Sequence, residues 1–337
     1  MESWREQMKH DPIPPLLASH DQALEYFVRR DLLGEEVGPL GSVWDLPEAQ
    51  RILRRQRADG SWKYPGRKVV PYPKHHYSLA ETWKQFRFLV EKYEFTKQHP
   101  DARKAAEFLF SCQTQDGDIR GLIGNQYATY YTGAIMALLI RAGYEDDPRI
   151  ERGFQWLLSM RQDDMGWTIP ILTVELDRET MYRATSQYSE PIEPDRAKPF
   201  SHNWTGMVLR AFAAHPRYRE SEEAKIAASL LKSRFFQKDV YTSYQAASYW
   251  VRFQYPFWWN NLLTALDSLS QLGFGEDDPD IKKGLEWFVE HQETSGLWRT
   301  TYVEGKQIKE NRKNKEMQLW VSFAVCQVLK RLHGQVA

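Results

Sequence analysis

Five residues are suited to moving protons near neutral pH: His75, His76, Glu81, His202 and Glu316. Histidine changes charge in that range, and a glutamate raised by burial can serve as an acid. Each stands at or near the start of a stretch with helical periodicity. Beside them come Tyr77, Asn125, Tyr130, Tyr131, Asn203, Trp204, Trp258, Trp259 and Asn260. An exposed surface would be richer in Lys, Glu and Asp. A binding cavity is apolar with a few convergent polar groups, and this set fits that description. Packing alone accounts for the same residues about as well.

If helices gather their N-termini at one mouth, their free N–H groups and partial positive charge favour an anion there. Arg67, Lys68 and Lys74 lie in a loop that would reach that mouth, or form a solvated basic loop. Aromatic faces deeper inside can stabilise a cation or stack on a flat ligand. A diphosphate at the mouth with an isoprenoid tail inside satisfies both preferences. So does an acidic sugar.

The elements that must position these groups are announced by a repeated pattern. Its fullest copy is Lys283–Trp298, KGLEWFVEHQETSGLW, a helix ending in a glycine turn that carries a tryptophan. The turn recurs at Gln56–Trp62, Gln113–Ile119 and Gln162–Trp167. Lys104, Ala105, Phe108, Leu109 and Gln113 match in order, as do Arg152, Gly153, Trp156 and Leu157, with Gln162 one position late. Asp-Asp-Pro precedes two copies, at Asp146–Pro148 and Asp277–Pro279, which is helix-cap chemistry. Self-similarity of this kind decides architecture before any single residue does.

This pattern, [KR][GA]xx[FYW][LIV]xxxQxxxGxW, resembles the QW repeat of triterpene cyclases and of the wider prenyltransferase and squalene-oxidase repeat proteins. The likeness spans about residues 21–332. It implies an all-α fold, an (α/α)6 toroid of inner and outer helices with an incomplete outer ring. One domain over residues 1–337 is expected, with repeats at about 20–62, 77–119, 126–167, 202–241, 257–298 and 316–332. Apolar periodicity places inner helices at about 20–33, 77–93, 126–141, 202–214, 257–272 and 316–332. Residues 168–201 break the period as a long insert, of the length usual for lids and binding loops. Residues 244–255 read as strand or loop.

Family chemistry does not transfer directly. Squalene-type cyclases protonate substrate from a DxDD motif, and this chain has none; its Asp runs sit beside repeat turns or helix caps. Prenyltransferase subunits hold zinc with Asp, Cys and His. Cys112 and Cys326 both read as small core residues, so neither a metal nor a cofactor is expected.

Lys and Arg total 45 and Asp and Glu 45, a balance that argues against a nucleic-acid partner. Two cysteines inside helical patterns suggest a reducing compartment, and the polar N-terminus shows no secretory signal. No apolar run reaches the roughly 20 residues of a membrane span, and a cytoplasmic protein is expected. The favoured function is binding an isoprenoid or another hydrophobic small molecule, neutral or anionic, in a central aromatic cavity, with the reaction unassigned. A carbohydrate-active hydrolase or lyase on an α/α toroid is one alternative. A non-catalytic small-molecule binding protein is the other. The oligomeric state is left open.

Overall fold

The computed structural model describes residues 3–66, 76–186, 189–241, 246–306 and 308–333. His75, Arg67, Lys68 and Lys74 fall outside them. Among the described residues the α-helices are α1 (Ser3–Glu6), α2 (Ile13–Leu17), α3 (Gln22–Phe27), α4 (Gly41–Trp44), α5 (Pro47–Leu53), α6 (His76–Tyr93), α7 (Pro100–Ser111), α8 (Thr129–Leu139), α9 (Pro148–Ser159), α10 (Arg178–Ser186), α11 (His202–Ala214), α12 (Glu222–Lys232), α13 (Leu262–Gln271), α14 (Pro279–Glu290) and α15 (Arg312–His333). The fold is all-helical, as expected, and the β-pairing among the described residues is confined to isolated bridges. Packing divides the chain into two compact units, residues 47–227 and residues 1–46 with 228–337, where the sequence suggests one domain.

Two kinds of helix alternate. The expected outer helices α7, α9 and α14 bury one face, and each starts at a proline preceded by a capping side chain. Asp147 accepts from the Arg149 N–H at 2.9 Å, and Asp278 accepts from those of Asp280 and Ile281 at 3.0 and 3.3 Å. The expected inner helices α8, α11 and α13 are buried almost all round.

The repeat turn explains why its residues recur. The glutamine amide donates twice, to the glycine carbonyl of its own turn and to a carbonyl beyond it. Gln56 reaches Gly60 O and Asp101 O at 3.0 and 2.9 Å, and Gln113 reaches Gly117 O and Arg149 O at 2.8 Å each. Gln292 reaches Gly296 O and His10 O at 3.0 and 2.8 Å. The indole N–H caps the preceding helix: Trp62 donates to Ile52 O at 2.8 Å, Trp167 to Leu157 O and Trp298 to Phe288 O at 2.7 Å. The backbone N–H at the Trp position donates to a hydroxyl of the following inner helix. Those hydroxyls are Thr82, Thr132, Thr205 and Ser322, at 3.1, 3.0, 2.8 and 2.9 Å. Gly60 and Gly117 hold positive φ and press against the next outer helix; a Cβ would lie 2.0 Å from Lys104 O and 2.4 Å from Arg152 O. In these copies the leading basic residue marks where the previous turn docks.

The 162–167 copy departs from this. Its positive φ falls on Met165, not on Gly166, because the turn is one residue shorter between Gln and Trp. The Gln162 amide therefore turns to Asp195 O and Lys198 O, at 2.7 and 2.9 Å, and anchors the end of the insert. The first inner helix covers about the expected residues, as an α-helix over Gln22–Phe27 continued by a π-helix over Val28–Leu32. Two other stretches are more regular than the sequence suggests. The insert is ordered by Pro170–Leu172 and by α10. Within 244–255 a short 3-10 helix forms at Ala247–Val251, and residues 242–245 lie outside the described residues.

Trp298 is fully buried, and Trp298→Ala should cost about 3–5 kcal/mol in denaturant titration, as truncations of core aromatics do. A loss under about 1 kcal/mol would show the turn to be dispensable. Asp147→Asn should cost at most about 1 kcal/mol, since Asn caps as well as Asp and only the ion pair to Arg149 is lost. Bonding to Arg149 holds the Asp147 carboxyl below its usual range. The stability it contributes is present above the unfolded carboxyl pKa and is lost as pH falls through the folded one. Acid unfolding curves of the variant should lack that component.

Candidate functional site

Unit 47–227 brings several of the expected residues together. α6, α8 and α11 run parallel, which their contacts fix from end to end. Near their starts Trp83 meets Tyr131 edge-on at 4.9 Å, and Tyr130 lies 4.4 Å from Trp204. Midway, Gly133 admits the α11 backbone; a Cβ there would sit 2.6 Å from Val208 Cα. Near their ends Glu91 pairs with both Arg210 and Arg141. The N-termini of these three helices therefore gather at one end.

At that end Tyr130 and Tyr131 are 4.1 Å apart, so Trp83, Tyr131, Tyr130 and Trp204 form one continuous aromatic belt. Burial drives the Tyr130 hydroxyl well above its usual pKa, which keeps it a neutral donor. His202 and Asn203 open α11 and are buried, with Ser201 capping the helix through the Trp204 N–H at 3.2 Å. His76 opens α6; its Nδ1 lies 2.6 Å from Gly121 O, and its ring meets Tyr77 edge-on at 4.9 Å. Tyr77 also packs on Tyr64 at 5.0 Å. Glu81 is buried one turn into α6, accepts a hydrogen bond from Gln85 and forms an ion pair with Lys84 at 3.6 Å.

The insert is tied to the approach to α8. Asn125 donates to Ser189 O at 2.9 Å. The Gln126 amide donates to Ser189 Oγ and Glu190 O, and its oxygen accepts from the Ile192 N–H. Thr129 donates to Thr168 O at 2.7 Å.

The remaining expected residues belong to the other unit. Trp258 and Trp259 meet at 5.9 Å, with Trp259 at 38% exposure, and Asn260 is buried. Glu316 is exposed on the first turns of α15. Nearby, Tyr255 stacks on Trp320 at 5.3 Å, and Trp320 donates to Asp21 at 2.9 Å. No group of three or more metal-ligating side chains occurs among the described residues. No helix there is long and apolar enough to cross a membrane.

Sequence reasoning missed the residues below the belt. Arg87 and Arg210 are 2% and 3% exposed, and Glu91 is buried with them. Glu91 Oε1 lies 2.5 Å from Arg210 Nη2 and 3.8 Å from Arg141 Nη1. The Arg87 guanidinium sits 5.3 Å from the Trp83 ring, and burial pulls its pKa down to about 10. A signal existed: Arg87 and Arg210 each interrupt an apolar helical run, QFRFLV and MVLRAF.

Residues 84–190, all within this unit, match the squalene-hopene cyclase C-terminal domain. The match supports the terpene-cyclase-like resemblance of the repeat. None of the curated proteins matches the chain. Among solved structures, a protein from Actinoplanes is 17% identical at a TM-score of 0.43, covering 87% of each chain. A type II terpene cyclase from Scytonema, bound to geranylgeranyl dihydroxybenzoate as substrate, is 12% identical at 0.37, covering 88% of this chain and 97% of its own. A family 76 glycoside hydrolase, a mannosidase from Bacteroides thetaiotaomicron, is 12% identical at 0.47, covering 94% and 87%.

Gln126→Ala should leave the helices intact but free the 189–192 backbone. Limited proteolysis should then cut within the insert several times faster than in the parent. Equal rates would mean that the Gln126 bonds do not hold it.

Proposed function

We propose that unit 47–227 binds an isoprenoid or a similarly apolar small molecule along the belt of Trp83, Tyr131, Tyr130 and Trp204. The observation that carries this reading is the belt itself. Four aromatic rings from three parallel helices meet at the helix N-termini, where packing alone would use Leu and Ile. Aromatic faces suit both flat apolar chains and any cationic character along them. His76 and Glu81 on the first turns of α6 and His202 at the start of α11 are polar groups of the same helices that carry the belt. They are the acid–base candidates, and the reading assigns no reaction to them. The cyclase-domain match over 84–190 favours the isoprenoid class. The sugar reading rests on the exposed Trp259 in the other unit, since an exposed aromatic face suits a sugar ring.

Geranylgeraniol should quench the intrinsic tryptophan fluorescence of the purified protein saturably. Trp204→Ala should weaken that binding about tenfold, the scale of one lost aromatic contact, with helical content by circular dichroism unchanged. His202→Ala should weaken it too. Saturable binding of a mannan oligosaccharide that Trp259→Ala abolishes, with no response to the prenyl alcohol, would replace this reading by the carbohydrate one.

A further inference from the structure

We infer that the groove between the last repeat turn and the start of α15 binds a phosphorylated polyol, free or as a lipid headgroup. This site is independent of the ligand proposed for unit 47–227, because every residue lining it belongs to the other unit. The groove has a volume of about 720 Å³. That lies within the range of about 300–1,000 Å³ usual for small-molecule sites. Its wall is unlike that of an apolar pocket. Ile308 is the one aliphatic side chain among the described residues that line it. An apolar tail has little to pack on there, and a polar ligand has much. The charge on the wall is also one-sided. Lys306, Lys309, Lys315 and Arg299 share it with two carboxylates, Glu293 and Glu310, a surplus of two positive charges in a chain whose total is balanced. Glu293 is already engaged: it accepts from Arg299 Nε at 2.6 Å and from Gln318 Nε2 at 2.9 Å. Among the described residues the three lysines have no ion pair and no side-chain hydrogen bond.

The backbone that carries these groups is fixed on both sides. On one wall the Phe253 N–H donates to Thr300 O at 2.7 Å and the Tyr302 N–H to Val251 O at 3.0 Å. On the other, Asn314 donates from its side chain to Lys309 O at 2.8 Å, and its N–H bonds Asn311 Oδ1 at 2.9 Å. These two bonds set the corner where Lys309 leads into α15. A site held in place before binding loses less conformational freedom on binding. A phosphate monoester carries about two negative charges near pH 7 and three acceptor oxygens, which matches the surplus; a carboxylate brings one charge. Ammonium groups take phosphate as point charges, and a guanidinium adds a directed fork. Arg299 spends its Nε on Glu293, and its two terminal amino groups make no hydrogen bond among the described residues. The polyol half has partners as well. Asn311 Nδ2, Asn314 Oδ1 and Gln318 Oε1 make no hydrogen bond among the described residues. Amides offer both donors and acceptors, as a hydroxyl-bearing ligand requires.

The test titrates the full chain with inositol phosphate, inositol and inorganic phosphate by calorimetry. Inositol phosphate should bind about tenfold more tightly than inorganic phosphate, the scale of the added hydroxyl contacts, and inositol should not bind measurably. Lys309→Gln and Lys315→Gln should each weaken inositol phosphate about tenfold, the scale of one lost charge-assisted bond. Lys313→Gln removes the same charge from the same segment, but Lys313 does not line the groove. It should change the affinity by less than about twofold, as a screened surface charge does. All three lysines are exposed, so the variants should melt with the parent. Equal losses in the three variants would show a diffuse basic surface and overturn the site. Equal affinity for the two phosphates, or no binding of either, would overturn it as well. Vesicle sedimentation separates the two sources. Phosphatidylcholine vesicles carrying a phosphoinositide should retain the chain, and those carrying phosphatidylserine at equal charge should not, if the ligand is a headgroup. Retention by neither, with inositol phosphate still bound, assigns the free compound. Equal retention by both, unchanged in Lys309→Gln, would be adsorption to any anionic membrane and would refute the groove as the site.

Discussion

Everything in this fold depends on satisfying the backbone groups at buried helix ends. An α-helix leaves four carbonyls without partners at its C-terminus, and burying them unpaired is expensive. The repeat turn answers this with three side chains. The indole N–H of Trp62, Trp167 or Trp298 closes the preceding helix. A glutamine amide staples the turn to the next segment, and an inner-helix hydroxyl accepts the N–H at the Trp position. The indole supplies apolar area and one polar contact together, so no water has to follow it inside. The last copy shows that the staple specifies a carbonyl rather than an outer helix. Gln292 bonds His10 O, and a Cβ on Gly296 would lie 2.6 Å from Asp11 O. The N-terminal segment before α2 therefore takes the place that a following outer helix holds elsewhere.

This dependence explains what could be read from sequence. Gln, Gly and Trp keep near-constant spacing because all three act within one turn, so four copies were visible. The hydroxyl partners were not visible as a set. They lie 20, 13, 38 and 24 residues beyond the Trp position, separated by connections of different length. The shift of positive φ to Met165 was legible only in part, as a glutamine one place late. Its consequence, an amide that holds the insert, needed coordinates because the acceptors at Asp195 and Lys198 are backbone atoms. The order within the insert was hidden for a related reason. Its helix α10 is polar and buries only Ala184 and Ser186, so it lacks the apolar period that betrays the others.

The candidate site was legible on its aromatic side and illegible on its charged side. Tyr130, Tyr131 and Trp204 stood out because rings concentrated at helix starts are unusual. Arg87, Glu91 and Arg210 did not, because a charge in a helix ordinarily faces solvent. What overrides that prior is position within the set of helices. A residue on α6 or α11 that faces α8 has no route to water except along the helix axis, whatever its type.

Parallel packing then gives unit 47–227 a polarity that no single helix has. Its helix starts carry rings, buried histidine and the anchored insert; its helix ends carry guanidiniums. The two ends are not independent, because Trp83 contacts both Tyr131 and Arg87. The cost of keeping cations inside must be offset by rigidity elsewhere, since a loose scaffold would let water in or let the arginines swing out. The repeat turns supply that rigidity near the starts of the same helices: Thr82 on α6, Thr132 on α8 and Thr205 on α11 each accept a turn N–H. Each lies one or two residues from a member of the aromatic belt. The bonds that build the repeat are therefore the bonds that hold the rings of the site in place, and a damaged turn should disturb the site before it disturbs the fold.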